Sequence, residues 1–376
     1  MSCRRVPRLL LQLVVVVVVA ATSAATPSVG VARVSVGTWR VVPSPAVAGG
    51  ELIAVAALNA NDAWAVGTRA ANGVFSPLAE HWNGSTWTVI PMPAPPSSNF
   101  NELFALTIVS SSDVWAVGVS NNWSSLIEHW NGTAWKVVPS PTTGPQTPLY
   151  GVFAFAANNI WAAGQQGTHG TLLHFNGASW SVFPHPEPLG SSYTTFSKVA
   201  GLSPTDVWAV GESQTSSQQT LVEHFNGTSW KIVPSAVQGA YNYVRGLAVR
   251  TTGDAWLVGD WQAPAPTYAE HPLIQHWNGT TWTAVNSPVG EPWAVAALSS
   301  ADAWLVGNQP SGSYNYAALI EHWNGSSWGV VQPPSIGAGD NELNGLAALA
   351  SGLLWAVGNY SPSGTDRPLI LMNPAG

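Results

Sequence analysis

Cysteine and charge are what this sequence has least of. The single cysteine, Cys3, lies in the N-terminal segment interpreted below as an export signal, so the exported chain lacks a disulfide, a thiolate nucleophile and a cysteine metal ligand. Charged residues make up 8% of the chain, against about 25% in an average soluble domain, so uncharged polar side chains must solvate the surface. The formal net charge is -7. An acidic, charge-poor chain without clusters of Lys and Arg is not built to bind nucleic acid.

Helical periodicity is also lacking, and there is only one long apolar run. It covers residues 9–21, follows three arginines and is followed by small residues up to Ala25. This order is typical of a secretory signal peptide that is cleaved after Ala25. We assign residues 1–25 to the signal peptide and 26–37 to a linker, and we expect a secreted, extracellular, monomeric bacterial protein without a membrane span in its mature form. The alternative is an uncleaved membrane anchor, for which the run is short.

A repeat with three sequence marks organises the rest of the chain. The first mark is Asp-x-Trp-Ala-Val-Gly, as at residues 62–67, and the second is His-aromatic-Asn-Gly, as at 81–84. The third is a Trp followed by β-branched residues, as at 135–139. Trp64 and Trp355 lie six repeats apart, which gives a period of about 48 residues, the length of four short strands with their turns. Because tryptophans recur at this fixed spacing, we expect most of them to be structural.

The two ends of the repeat region predict the number of sheets. Residues 38–43 have the sequence of a fourth strand without the first three, and residues 346–372 supply the first three without a fourth. Joining them completes a seventh sheet and removes exposed sheet edges. We therefore predict an all-β fold over residues 38–376. It is a seven-bladed β-propeller of four-stranded blades, and its ring is closed by the N-terminal strand, which completes the C-terminal blade.

The order of the marks resembles kelch repeats, as in the central propeller of galactose oxidase. A strand that ends in Gly67, then an aromatic residue, then a Trp a few residues later carry the resemblance, although kelch repeats have two glycines where this chain has one. The Asn-Gly-x-x-Trp part, as at residues 83–87, is similar to the Asp-box of sialidase propellers without its Asp. The resemblance covers residues 38–376 and implies the propeller fold. It does not carry over the copper site of galactose oxidase, which needs a cysteine–tyrosine crosslink.

A histidine recurs in six repeats and could suggest metal binding. These residues are His81, His129, His174, His224, His276 and His322. If Asn-Gly forms a two-residue hairpin turn, five of the six lie across from a Ser or Thr, as His81 does from Thr86. One histidine per blade also places them far apart around a ring. We therefore predict structural cross-strand hydrogen bonds instead of metal ligands. We expect the aspartate of the first mark to cap a turn or to link to the next strand.

Loop lengths predict which face of the propeller binds a ligand. The turns between strands 1 and 2 and between strands 3 and 4 are short and alike, whereas the 2–3 and 4–1 loops are long, variable and on one face. The aromatic residues of this face do not follow the repeat. They are Trp123, Tyr150, Tyr193, Tyr241, Tyr243, Trp261, Tyr268, Tyr314, Tyr316 and Tyr360. We predict that they bind a sugar or an extended peptide; the alternative is that they pack within their own loops.

Four glutamates share one position of the repeat, eleven residues before the aspartate of the first mark. They are Glu51, Glu102, Glu291 and Glu342. They fall in contiguous blades, so they form an acidic arc at the mouth of the central channel, with Arg245 near the opposite arc. Such an arc suits a cation such as calcium, or supplies a catalytic acid and base for a glycosidic bond. The alternative is four solvated glutamates repeated by descent.

Three functions remain open at this point. The leading one is a secreted, non-catalytic binding propeller that recognises carbohydrate or another extended polymer on the long-loop face. The second is a glycan-active enzyme, a hydrolase or lyase, that uses the glutamates of the acidic arc. The third is a protein–protein adhesion scaffold. The partner is then a glycan or an extracellular protein. No motif requires a cofactor, and calcium at the acidic arc is the one candidate.

Overall fold

The structure, a computed structural model, describes residues 38–374 apart from residues 94, 96, 97, 143, 312–314 and 338. These residues form 28 β-strands and one short 3-10 helix, Asn121–Trp123. The strands build seven antiparallel four-stranded sheets, two of which are joined by a single parallel bridge between Gln218 and Tyr241. The prediction of an all-β propeller with four-stranded blades is confirmed, and the seven sheets fit the predicted number of blades. The predicted signal peptide and linker lie outside the described residues.

The N-terminal strand is β1 (Arg40–Val41), and the next sixteen strands form blades 1 to 4 in chain order. Blade 1 consists of β2 (Gly50–Asn59), β3 (Asp62–Ala71), β4 (Val74–Trp82) and β5 (Trp87–Val89). Blade 2 consists of β6 (Glu102–Ser110), β7 (Asp113–Ser120), β8 (Ser124–Trp130) and β9 (Trp135–Val137). Blade 3 consists of β10 (Leu149–Ala156), β11 (Asn159–Gln166), β12 (His169–Phe175) and β13 (Trp180–Phe183). Blade 4 consists of β14 (Tyr193–Ser203), β15 (Asp206–Gln214), β16 (Gln218–Phe225) and β17 (Trp230–Ile232).

The remaining strands form blades 5 to 7. Blade 5 consists of β18 (Tyr241–Thr251), β19 (Asp254–Gln262), β20 (Glu270–Trp277) and β21 (Trp282–Ala284). Blade 6 consists of β22 (Glu291–Ser299), β23 (Asp302–Pro310), β24 (Tyr316–Trp323) and β25 (Trp328–Val330). Blade 7 consists of β26 (Asn341–Ala348), β27 (Leu354–Tyr360), β28 (Arg367–Asn373) and, as its fourth strand, β1.

The N-terminal strand pairs with the C-terminal one, as the sequence predicted. Arg40 lies opposite Met372 in an antiparallel ladder between β1 and β28. The first strand of each blade also contacts the first strands of both neighbouring blades, including β2 with β26. These are the contacts expected of a ring of blades. The first strands are therefore the innermost strands, at the place where a propeller has its central channel.

The repeated tryptophans pack between neighbouring blades. Each of the seven boundaries has its own hydrophobic cluster. At the first boundary, the ring centroid of Trp64 lies 5.1 Å from that of Trp130 and 5.4 Å from that of Trp135 in blade 2. Aromatic pairs of this kind contribute about 1 kcal/mol each beyond the area they bury. The expectation that most tryptophans are structural is confirmed.

The His-aromatic-Asn-Gly turn is longer than predicted. Trp82 and Trp87 are the last pair of the β4–β5 ladder, so the loop consists of residues 83–86 and not of the Asn-Gly pair alone. The side-chain oxygen of Asn83 accepts hydrogen bonds of 3.0 Å from the backbone N–H groups two and three residues further on. Gly84 follows with φ at 93°, where a glycine is needed. The other five turns have the same register.

The long loops are mainly the connections between blades, such as residues 90–101 and 138–148. The prediction of long 2–3 loops is wrong for blades 1 to 4, because their second strands continue past the glycine of the first mark. There the 2–3 loops consist of residues 72–73, 121–123, 167–168 and 215–217. In blade 5 the 2–3 loop is long and covers residues 263–269. Within the part of the chain that the structure describes, no helix has the length and apolarity needed to span a membrane.

Candidate functional site

A β-bulge in every first strand builds the mouth of the channel. In blade 1 the pairing with β3 shifts between Leu52 and Ala54, so the residue between them has no partner. A Cβ atom on Gly67 would lie 2.1 Å from the carbonyl oxygen of Glu51, which explains why the first mark ends in glycine. The six equivalent glycines meet the same backbone oxygen at 1.9–2.1 Å. A bulge re-aims a side chain and often lies next to a functional site.

The bulge residue differs in all seven blades. In chain order the seven are Ile53, Phe104, Tyr150, Ser197, Arg245, Trp293 and Asn344. Most other positions of the inner strands repeat the same residue type. Variation at one position of a rigid, repeated frame is typical of a position that contacts ligand instead of supporting the fold.

Blades 5 and 6 bring a cation and aromatic rings together at this position. The Nε atom of Arg245 donates a hydrogen bond of 2.9 Å to Oδ1 of Asp260. The guanidinium carbon of Arg245 lies 4.2 Å from the ring centroid of Trp293 and 5.8 Å from that of Tyr243. A cation over an aromatic face is attracted by the ring quadrupole. The guanidinium is thus held by a carboxylate on one side and a tryptophan on the other.

Blade 4 adds a second cation. Lys198 follows the bulge of β14, and its Nζ donates a hydrogen bond of 3.3 Å to the backbone oxygen of Tyr150 in blade 3. Burial and the nearby charge of Arg245 lower the pKa of Lys198 to about 8. The ammonium is therefore mostly charged at pH 7, yet it is close to losing its proton.

Two carboxyl groups follow the glycine of the second strand in the same blades. Glu212 accepts a short hydrogen bond from the backbone N–H of Val244, which joins blade 4 to blade 5. Burial raises the pKa of Glu212 to about 8, so this carboxyl is mostly neutral at pH 7. Asp260, the counterpart of Glu212 in blade 5, is also buried. Asp260 receives no equivalent backbone hydrogen bond, because the counterpart of Val244 in blade 6 is Pro292, which has no N–H. We call Lys198, Glu212, Arg245, Asp260 and Trp293 the basic cluster.

The predicted acidic arc lies at the start of the first strands. Glu51 accepts a hydrogen bond of 3.2 Å from the side-chain nitrogen of Asn344, and Glu342 accepts one of 3.3 Å from that of Asn308. Glu102 and Glu291 are buried at 7% and 3% exposure, and burial raises the pKa of Glu102 to about 7. Across residues 38–374, with the gaps given above, no three His, Cys, Asp or Glu side chains come close enough to hold a metal ion. Calcium at this arc stays a prediction.

The ten aromatic residues predicted to bind ligand divide into two groups. Tyr150, Tyr193 and Tyr243 belong to the channel mouth. The ring of Tyr150 stacks on Phe104 at 5.6 Å, and burial raises its pKa strongly. The hydroxyl of Tyr193 donates a hydrogen bond of 2.8 Å to the side chain of Gln165, and burial raises its pKa to about 12.

The other predicted aromatic residues lie further out. Trp123 packs on Phe100 at 5.8 Å, and Trp261 stacks on His271 at 4.2 Å. Tyr241, Tyr316 and Tyr360 are partly buried at strand ends. Tyr268 is 47% exposed in the 2–3 loop of blade 5, and Tyr314 lies outside the described residues.

The repeated histidines have a partner other than the one predicted. His81 lies opposite Thr88, so the expected contact with Thr86 is wrong, because the turn has four residues instead of two. Its Nε2 atom lies 3.0 Å from Oδ1 of Asp62, the aspartate of the first mark, and its ring packs at 4.4 Å on Trp64. The five other histidines contact the Asp or Asn of their own blade at 2.9–3.0 Å. This contact links strand 2 to strand 3 and fits the structural role that was predicted.

One residue of the basic cluster, Lys198, differs in the sequence from its equivalents in all the other repeats. At the position of Lys198 the six other blades have Ala or Gly: Ala54, Ala105, Gly151, Gly246, Ala294 and Gly345. Lys198, Glu212, Asp260 and Trp293 were not among the predicted site residues. Aligning the repeats position by position, and searching for departures, would have found Lys198.

Comparison with known proteins supports the fold and little more. No protein-family profile matches the sequence, and no curated protein is detectably similar to it. The structure of YCF48 bound to D1 peptide superposes with a TM-score of 0.60 at 12% identity, covering 92% of this chain and 100% of that one. The structure of SapL1 lectin in complex with alpha methyl fucoside has a TM-score of 0.51 at 14% identity, covering 77% of this chain and 98% of that one.

An extracellular domain of known structure is similar as well. The extracellular domain of the one-component system BT4673 from B. thetaiotaomicron has a TM-score of 0.55 at 10% identity. The match covers 88% of this chain but 39% of that one, so this chain spans about two fifths of its length. The fold is thus shared with lectin, peptide-bound and extracellular propellers, and these likenesses show the fold alone. A specific relation to kelch repeats stays a prediction.

Proposed function

We propose that this protein is a secreted, non-catalytic binding propeller that holds a glycan at the mouth of its channel. The observation that supports the proposal concerns positions in the first strands where one blade has a residue different from the equivalent residues in the other blades. The departures that carry charge or aromatic rings lie in the contiguous blades 2 to 6, as Phe104, Tyr150, Lys198, Arg245 and Trp293. Aromatic faces stack on the apolar faces of sugar rings, and charged groups bond to sugar hydroxyls. A lectin with the same fold adds to this proposal.

Two other functions keep specific support. A glycan-active enzyme is favoured by Glu102, since burial raises its pKa to about 7, in the range that suits a general acid. A peptide-binding scaffold is favoured by the similar structure of YCF48, which holds a peptide.

A panel of neutral polysaccharides, acidic polysaccharides and peptides distinguishes these functions. The purified protein is incubated with each, with and without calcium, and retention and released sugar are scored separately. We expect retention without product, and loss of retention in Trp293→Ala but not in Tyr268→Ala, which truncates an exposed aromatic outside the mouth. Released sugar that disappears in Glu102→Gln would identify an enzyme. Binding to peptides alone would identify a scaffold.

A further inference from the structure

We propose that the channel mouth selects a sugar that carries a carboxylate, held between Lys198 and Arg245. This inference rests on the proposed glycan-binding function and names the class of glycan. It follows from the placement of the two cations, from the charges that surround them and from the tryptophan beside them.

Lys198 occupies a position where a long side chain needs special room. Inner strands of neighbouring blades come very close there: a Cβ atom on Gly151 would lie 3.0 Å from the Cα of Lys198, and one on Gly246 would lie 3.1 Å from the Cα of Ala294. Six blades accordingly have Ala or Gly at this position. A lysine brings a charge that burial destabilises, so a role for the charge itself explains it better than packing does.

The surroundings of Lys198 leave its charge without a protein partner. Arg245 of β18 is the charged group that acts on its ammonium, and Nζ bonds to the backbone of Tyr150 in β10. Tyr193 of β14, Glu212 of β15 and Asp260 of β19 belong to the same network, because Glu212 acts on Tyr150 and Tyr193, and Arg245 and Asp260 act on Glu212. None of the carboxylates in the described part of the chain lies within salt-bridge distance of Nζ, and the hydrogen bond that it donates goes to a neutral backbone oxygen. Glu212 is mostly neutral at pH 7, and Asp260 balances Arg245 alone.

The basic cluster therefore has one more positive than negative charge at neutral pH. A buried cation of this kind is stabilised when an anion joins it. Arg245 uses Nε toward Asp260, so its two terminal nitrogens remain to bind a carboxylate, the geometry that guanidinium groups favour. Across the channel the acidic arc repels an anion, which directs it to the basic cluster.

A sugar is the carrier that fits the remaining groups. Trp293 and Tyr243 present aromatic rings beside Arg245, and such rings stack on pyranose faces. The hydroxyl of Ser197, which donates to the buried carboxyl of Glu212, keeps acceptor capacity for a sugar hydroxyl. A simple inorganic anion would leave the aromatic rings unused.

Binding at this site is linked to a proton. A ligand carboxylate next to Lys198 stabilises its ammonium form and raises its pKa. Because the pKa of Lys198 in the free protein is about 8, affinity is highest below pH 8 and falls by up to about tenfold for each pH unit above it. Binding above pH 8 takes up a proton.

The test compares an oligogalacturonate with its methyl ester, which keeps the sugar ring and removes the charge. Titration calorimetry at pH 7 and at several pH values above 8 measures both affinities for the wild-type protein, for Lys198→Met and for Lys231→Met. Lys231 lies on the exposed outer strand of the same blade and is the matched control. We expect the acid to bind about tenfold to a hundredfold more tightly than the ester. Lys198→Met should reduce this preference about tenfold, since Arg245 still binds the carboxylate, and should remove its decline above pH 8; Lys231→Met should change neither.

Several results would overturn the inference. Equal affinity for acid and ester, or a preference that is undiminished in Lys198→Met, removes the carboxylate site between Lys198 and Arg245 and leaves the glycan-binding proposal standing. Binding of neither sugar at any pH removes both proposals. Binding of a peptide with a free C-terminal carboxylate, but not of its amide or of either sugar, assigns the site to a peptide. If Lys198→Met loses its fold by circular dichroism, Arg245→Gln tests the same preference.

Discussion

The hydroxyl of Ser287 lies 2.9 Å from both carboxylate oxygens of Glu321. Ser287 belongs to the linker after blade 5, and Glu321 is buried in the third strand of blade 6, so the contact fastens one blade to the next. Ser44 and Glu80 make the same contact, at 2.8 Å, between blade 7 and blade 1. A hydrogen bond from a serine to a buried glutamate therefore links neighbouring blades at two places in the repeat.

In blade 2 the corresponding glutamate, Glu128, lacks a serine that could donate this hydrogen bond. Glu128 is fully buried, and neither of its carboxylate oxygens has a hydrogen-bond partner among the described residues. The linker residue that corresponds to Ser287 is Met92, which has nothing to donate. Burial raises the pKa of Glu128 from 4.5 to about 8. The unfolded chain therefore gives up this proton at lower pH than the folded chain, and stability falls as the pH rises from about 4.5 to about 8.

Glu128→Leu should stabilise the protein in a pH-dependent way. Leucine is the residue that blades 3 and 7 have at this position, as Leu173 and Leu371, so the fold accommodates it. We expect a gain on the order of 3–5 kcal/mol in the free energy of unfolding at pH 8 and a much smaller gain at pH 4.5. Urea unfolding at both pH values measures it. Glu321→Leu is the control and should gain less, since it leaves the hydroxyl of Ser287 unpaired. A gain that is the same at both pH values would contradict this account.

The Asp–His contact predicts unequal losses in different blades. Asp113 accepts hydrogen bonds from Nε2 of His129 at 2.9 Å and from Nε1 of Trp115 at 2.8 Å, whereas Asp62 accepts one from its histidine alone. Asp113→Ala should cost about 2–3 kcal/mol and Asp62→Ala about 1–2 kcal/mol, since the first leaves two donors unpaired. Chemical unfolding measures both, and ligand retention should stay unchanged in each. Lost retention in a variant that is still folded would show that these histidines serve binding.

The repeat made most of the fold predictable, because marks at a fixed spacing specify both the strands and their pairing. The match between residues 38–43 and 346–372 predicted the pairing of β1 with β28. The Asn-Gly turns were not predictable in the same way. Asn72-Gly73 forms a two-residue turn with both φ values positive, at 52° and 77°, whereas the side chain of Asn83 caps a four-residue loop. The dipeptide is the same, and the hydrogen bonds to the residues that follow decide the turn.

The candidate site was only partly predictable for a related reason. Counting back from the first mark located Glu102 and its equivalents at the channel mouth, because strand length is constant up to that point. The bulge that follows is a feature of backbone geometry, so the sequence did not show that Arg245 and Trp293 would meet at 4.2 Å. Lys198 and Glu212 lie at fixed distances from the first mark, where other blades have Ala or Gly and, in blade 6, Asn308, so a full alignment of the repeats was needed to single them out.

Glycine at the end of the second strand should be indispensable. A Cβ atom on Gly211 would lie 2.0 Å from the carbonyl oxygen of Thr195, just before the bulge that precedes Lys198. Gly211→Ala should therefore cost more than about 3 kcal/mol and lower ligand affinity in any protein that remains folded. Gly190→Ala is the control, because its φ is 76° but no atom lies within 4 Å; we expect a cost of about 1 kcal/mol from backbone strain alone. Thermal unfolding compares them, and equal costs would show that the first strand shifts to make room.

Glu102→Gln separates the electrostatic role of the acidic arc from a catalytic one. Because burial raises the pKa of Glu102 to about 7, its carboxyl is neutral at pH 5.5 and ionised at pH 8. If the arc only repels an anionic sugar, the variant should bind oligogalacturonate about two- to threefold more tightly at pH 8 and low salt. The gain in affinity should vanish at pH 5.5, where the carboxyl of Glu102 in the wild-type protein is already neutral. It should also vanish at 1 M salt, where the Debye length is about 3 Å. Affinity is measured by titration calorimetry at pH 5.5 and pH 8, each at low salt and at 1 M salt. Weaker binding in the variant at every pH would instead mean that Glu102 contacts the ligand directly. Sugar released by the wild type and not by the variant would assign it the role of a catalytic acid.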